Sequence, residues 1–218
     1  MTGTKGYSLF VKKAIAMKKF LIVLLIITSC VPSIHPLYHE RDLIEDQRLF
    51  GNWRNAGEGE FWDGRESWKF EKLPPKQGFL GSKTPDPLSG YLLTITEDSI
   101  AAEFVARLLE LDNQLFLDIF PKSEYGDIKG IENNWLQMHL FPVHTFARIS
   151  FENKAMIIEP FDPDFIIDLL EQKKIRISHE KTGNNFILTA STDELQKFVM
   201  KFGREKEAYI DPGLFTRM

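Results

Sequence analysis

One cysteine, Cys30, occurs in 218 residues, so no intrachain disulfide can staple this fold. The chain also lacks a long apolar run. Its longest, Phe20 to Ile27, has eight residues, far short of the about 20 that a membrane-spanning helix needs. There is no Gly-X-Ser-X-Gly, no His-Glu-X-X-His and no phosphate-binding loop. These absences remove the common nucleophile, metalloprotease and nucleotide sites, and nothing in the sequence calls for a metal or a cofactor. Internal repeats and low-complexity runs are missing as well.

What is present begins with the leader. Eight apolar residues suit the centre of a secretory signal peptide, and Lys18 and Lys19 supply its positive start. Met17 stands just before them and is an alternative initiator, which would make residues 1–16 an upstream extension. The run ends Ile27-Thr28-Ser29-Cys30, which resembles the lipobox of bacterial lipoproteins. That resemblance implies removal of residues 1–29, a diacylglyceryl group on the Cys30 sulfur and acylation of the new N-terminus. Two or more acyl chains hold a protein stably to a membrane at about 0.8 kcal/mol per buried methylene, where one chain does so only marginally. The competing reading, a cysteine in a core helix, is opposed by Pro32 and Pro36, which would break that helix. Val31 stands where an inner-membrane retention signal would place aspartate, so the expected address is the bacterial cell envelope, at the outer membrane.

Without residues 1–29, which carry five lysines and no acid, 189 residues remain with 22 basic and 31 acidic side chains, a formal charge of −9. That balance argues against nucleic acid, whose binding rests on neutralising phosphates. It argues equally against holding anionic headgroups by charge, and leaves the membrane partner to the acyl chains. Aromatic residues make up 12% of the chain, with 18 Phe, enough for a substantial core in one domain.

The expected organisation has four parts: the leader 1–29, a lipidated tether 30–41, a single antiparallel β-rich domain 42–203 and a polar tail 204–218. Residues 31–40 carry two prolines and no helical period. Asp42 to Phe50 suits a short helical turn. From Gly51 the period becomes two: Trp68 and Phe70 alternate with polar neighbours, Tyr91 to Thr96 is rich in strand formers, and Ala101 to Leu111 suits either helix or strand. Asp112-Asn113 marks a hairpin turn before Gln114 to Phe120, and Glu152-Asn153 another between Pro142–Phe151 and Lys154–Pro160. Asp162-Pro163-Asp164 opens a helix with Phe165, Ile166, Leu169 and Leu170 on one face. Ser191 to Glu194 is a capping box before Leu195, Phe198, Val199 and Phe202. A last hairpin, Ile175–Lys181 with Phe186–Ala190, lies between the helices. Leu73–Gly90 and Pro121–Leu140 lack a period and read as long loops, the second with Trp135.

Gly51-Asn52-Trp53 at the start of the first strand resembles the Gly-X-Trp signature of lipocalins, in which the tryptophan plugs the closed end of an eight-stranded cup. More of the chain resembles a group of uncharacterised bacterial lipoproteins. The shared features are the Cys30 leader, Pro36-Leu37-Tyr38 with Asp42-Leu43, Gly51-X-Trp53, Pro142 to Phe146, and the helix Ser191 to Phe202. No activity comes with this second resemblance. The helix between late strands departs from the lipocalin pattern, and a core tryptophan on any strand would also explain Trp53.

The histidines are His35, His39, His139, His144 and His179. Pro36 between His35 and His39 removes the helix that would present them together to zinc. His144 and His179 lie on predicted strands and could form an acid–base or metal pair with a carboxylate if those strands were neighbours. Hydrogen-bonded histidines on a half-buried sheet explain them more simply.

The sequence therefore predicts an α+β domain: a strongly bent antiparallel β-sheet, or a lipocalin-like β-barrel, with two C-terminal helices. Three functions are open. The first is a lipid-anchored envelope protein binding a small apolar ligand, with Trp53, Trp68 and Phe70 as pocket residues. The second is an envelope interaction module with a filled core and its partner on the long loops. The third is a histidine-based or metal-dependent hydrolase using His144 and His179.

Overall fold

A computed structural model of the chain describes residues 30–57, 62–77, 83–84, 88–122, 140–183 and 185–218. The expected leader, His139 and Trp135 lie outside these residues.

The strands are β1 (Leu43–Ile44), β2 (Gly51–Asn55), β3 (Glu66–Lys72), β4 (Lys76–Gln77), β5 (Lys83–Thr84), β6 (Tyr91–Glu97), β7 (Ile100–Leu111), β8 (Gln114–Pro121), β9 (Thr145–Glu152) and β10 (Ala155–Pro160). Helix α1 (Pro163–Glu171), the hairpin β11 (His179–Thr182) and β12 (Asn185–Leu188), helix α2 (Thr192–Phe202) and β13 (Gly213–Arg217) complete the chain. Strands β2, β3, β6, β7, β8, β9, β10 and β13 follow one another as antiparallel neighbours, and β13 returns to β2. The result is a closed eight-stranded up-and-down barrel of lipocalin-like form, with both helices outside it.

Local chemistry explains the hairpins. Asp98 and Ser99, Asp112 and Asn113, and Asn153 and Lys154 have φ between 46° and 74°. Two successive left-handed residues form the turn whose twist matches the flanking strands. The ambiguous segment Ala101–Leu111 is strand throughout, because β6 and β8 offer it partners on both edges. Both helices start as the sequence predicts. The Asp162 side chain accepts from the Asp164 N–H, and Ser191 and Glu194 close a capping box.

Three expectations change. Residues 31–40 do not form a free tether. Ser33 bridges His144 on one side and Leu188 on the other, and Val31, Ser33 and Leu37 are buried. Asp42–Phe50 is no helix: a 3-10 turn spans Glu40–Asp42, and Leu43–Ile44 adds to the far half of β7. The tail is not loose. A 3-10 turn, Lys206–Ala208, leads into β13, the strand that closes the barrel. Proline blocks a helix in 31–36 but leaves extended pairing open, and Leu214 and Phe215 carry too short a pattern to stand out as a strand.

Two cores result. Inside the barrel lie Trp53, Trp62, Trp68, Phe70, Tyr91 and Phe215 with aliphatic neighbours. Outside, the helices and the N-terminal segment cover Phe116 and Phe146 on the barrel wall. Strand β8 serves both, since Phe116 and Asp118 face outward and Leu117 and Ile119 inward.

Candidate functional site

The barrel's lower end carries residues 45–50 and the turns after β7 and β9. Its upper end carries the β2–β3 and β8–β9 connections and the β6–β7 turn. The lower end is sealed. Trp53 is buried, donates its indole N–H to the Leu49 carbonyl at 2.8 Å, and lies under the Arg217 guanidinium at 4.9 Å. Arg48 covers Phe151 at 4.4 Å beside it, and the Arg48 guanidinium holds the Asp46 carboxyl below the usual carboxylate range. Tyr91 closes the same end by accepting from the Asp46 N–H at 2.6 Å, and burial pushes its phenol up to about 12. Gly51 has φ +120°, a backbone conformation that excludes other residues there and explains the glycine two places before Trp53.

The middle is filled by rings. Trp68 lies 5.2 Å from Phe215 and 6.1 Å from Phe70, and Phe70 meets Tyr91 edge-on at 6.0 Å. Trp62 folds over Phe215 at 5.3 Å and donates to the Asp211 carbonyl; a Cβ at Gly213 would stand 2.6 Å from its ring. The structure thus brings the three predicted pocket residues into one interior, where Trp68 and Phe70 pack directly against each other and Trp53 belongs to the floor.

The upper end differs. Trp68, Ile95 and Ala102 form one cross-strand row on the inner face of β3, β6 and β7. Trp68 is buried, Ile95 half-buried and Ala102 exposed. In the next row down, inward-facing Phe104 is also half-buried. Ala102 stands on the part of β7 beyond the end of β8, so this row reaches solvent at the barrel rim two strand spacings from Trp68, about 10 Å. The Trp68 indole N–H is enclosed and has no hydrogen-bond partner among the described residues. Neither the open row nor this orphan donor was legible in the sequence, because both depend on which strands lie beside β3.

The row above is acidic. Glu66 faces Glu97 across the strands, and Asp63 and Asp98 lie close by. Arg65 reaches Asp63, Glu97 and Asp98, and Glu66 accepts from the Asn55 amide at 2.7 Å.

The histidine pair does not assemble. His144 neighbours Ser33, Ser33 neighbours Leu188, and Leu188 neighbours His179. Three strand spacings, about 14 Å, separate the two imidazoles' strands. His144 Nδ1 instead meets Asp118 Oδ1 at 2.7 Å, and its ring stacks on Phe120 at 4.4 Å. Asp118 is buried, and its other oxygen accepts the Leu37 N–H at 2.8 Å. His179 turns to the Ile177 carbonyl. His39 pairs with Asp193 at 2.8 Å. Among the described residues, no three His, Cys, Asp or Glu side chains converge as metal ligands.

A concavity of about 580 Å³ lies where the β9–β10 hairpin overhangs the end of β8. Its central cation is already committed. Arg148 forks onto Glu159 at 2.7 Å, donates to the Gly203 carbonyl at 2.8 Å and covers Tyr209 at 4.1 Å. Cys30 is half-buried, and burial pushes its thiol up to about 11, which leaves it little thiolate character near neutrality.

Compared with family models, with curated proteins and with solved structures, the chain has no match.

Proposed function

We propose that this protein is a lipid-anchored barrel of the bacterial cell envelope that takes a small apolar ligand at its upper end. The observation that supports ligand binding most directly is the Trp68–Ile95–Ala102 row, an apolar inner surface that passes from buried to exposed. A barrel of eight strands is just wide enough to hold side chains or one small ligand. Here side chains fill the lower part, so the ligand is small and enters from above.

The anchor reading rests on the leader and Cys30. Because Val31 and Ser33 are held in the fold, acyl chains on Cys30 would have no free linker, and the domain would rest directly on the bilayer surface. Cys30→Ser tests this. The variant should accumulate unprocessed or in the soluble fraction, whereas unchanged membrane retention and processing would overturn the anchor.

A second reading has its own support. Phe141, on the β8–β9 connection, is 70% exposed and Ile100, the first residue of β7, is 78% exposed, both at the upper end, which suits contact with another envelope protein. Native mass spectrometry of protein taken from its own envelope separates the two. A small-molecule mass retained on the chain favours the ligand, and a co-purifying protein favours the interaction module.

A further inference from the structure

We infer that the ligand is an uncharged apolar molecule carrying one hydrogen-bond acceptor, such as a ketone, aldehyde or ester, and that Trp68 Nε1–H donates to it. This rests on the ligand reading above and narrows its chemistry.

Two observations carry it. The first is the orphan donor. Trp68 is 6% exposed, ringed by Phe70, Phe215 and Trp62, and its indole N–H meets no acceptor among the described residues. An enclosed donor left unpaired is destabilising and normally finds a partner. The neighbouring indoles show the contrast, since Trp53 bonds to Leu49 and Trp62 to Asp211 through backbone carbonyls. Trp68 is the buried end of a row that runs through half-buried Ile95 to exposed Ala102, two strand spacings away. The rings packed on Trp68 are apolar, and the polar neighbours one row above, Asn55 and Glu66, are paired with each other, so the ligand needs an apolar body and a single acceptor atom.

The second observation is charge. One row above, Asp63, Glu97 and Asp98 pair with Arg65 and Glu66 faces Glu97, four acids to one arginine among the described residues of this rim. An anionic ligand entering past this rim meets net negative charge, and a carboxylate would also lose its hydration beside the rings. A neutral carbonyl meets neither penalty.

The test uses the full chain with the neutral fluorescent probe N-phenyl-1-naphthylamine bound, displaced in turn by 2-octanone, 1-octene and octanoate. The ketone should displace the probe at about fivefold lower concentration than the alkene, as one modest hydrogen bond allows. Octanoate should be weaker than the ketone. Trp68→Phe keeps a ring and removes the donor; it should bring the ketone's displacing concentration, relative to the alkene's, to parity. Nitrogen-15 spectra of the wild-type indoles give a readout independent of that variant's folding, because 2-octanone should move one indole N–H resonance downfield and 1-octene should not. Equal displacement by ketone and alkene, no indole shift, or an advantage that survives Trp68→Phe overturns this inference, and a trapped water is then the donor's partner. If the probe does not bind the wild-type chain at all, the ligand reading itself fails, which is a separate outcome.

Discussion

The barrel interior and the layer outside it are both rich in aromatic rings, yet they are held by different means. The interior gathers Trp53, Trp62 and Trp68 with residues that alternate along successive hairpins. Its contacts follow from period two and tight turns, and its buried polar groups are few. The outer layer joins segments far apart in the chain: 31–37, β8, α1 and α2. It is keyed by buried polar groups. Asp118 takes the Leu37 N–H, and Gln196 donates to the Leu37 carbonyl at 2.9 Å and to Asp42 at 2.7 Å. Thr192 donates to the Pro36 carbonyl at 2.8 Å. Apolar packing sets how much is buried, but it does not choose among similar faces. Directed hydrogen bonds to the backbone of one segment do choose.

The largest effect that could break this contrast comes from the interior. Trp53→Ala removes the ring that seals the lower end and should cost about 3–5 kcal/mol, read from urea unfolding. A loss near zero would mean that the ring does not support the interior. Asp118→Ala should be milder, about 1–3 kcal/mol, because it strands the Leu37 N–H. Its signature is local: amide exchange at residues 33–39 should speed up while tryptophan emission from the interior stays unchanged. If Leu37 remains protected, polar keying is not what holds the N-terminal segment.

The smallest effect is a pH dependence. Arg48 lowers the Asp46 carboxyl at the barrel floor. Asp42, in the outer layer, is opposed by burial but lowered overall by Gln196, the His39 N–H and Arg41. A lowered folded value means that each carboxylate stabilises fully above its ordinary value of about 4 and loses that contribution as pH falls through the folded one. Unfolding midpoints should therefore drop between about pH 4 and more acidic values. Asp46→Asn should flatten this slope without altering midpoints' ranking at neutral pH among the variants above; an unchanged slope would place the acid response elsewhere.

Much of the barrel was legible. Trp68-Lys69-Phe70 alternates cleanly, Asp112-Asn113 marks its turn, and Ser191 to Glu194 caps its helix by local hydrogen bonds. The last strand was hidden because Gly213–Arg217 is only five residues, after a polar stretch and a proline. The N-terminal pairing was hidden because Ser33 finds its partners at His144 and Leu188, more than a hundred residues away. Of the candidate site, Trp68 was named from its alternation, but not its orphan N–H.

By itself, the sequence determined the local matters: the apolar run Phe20 to Ile27 ahead of Cys30, the strand and helix periods, the turns and the caps. Those features depend on residues within one hairpin or one helical turn, so they can be read along the chain. Only the tertiary structure decided that β13 closes the barrel on β2, that residues 31–37 are stitched to its wall, that His144 answers to Asp118 and not His179, and that Trp68 shares a cross-strand row with exposed Ala102. Each of these depends on which strands become neighbours, a choice made by packing between distant segments.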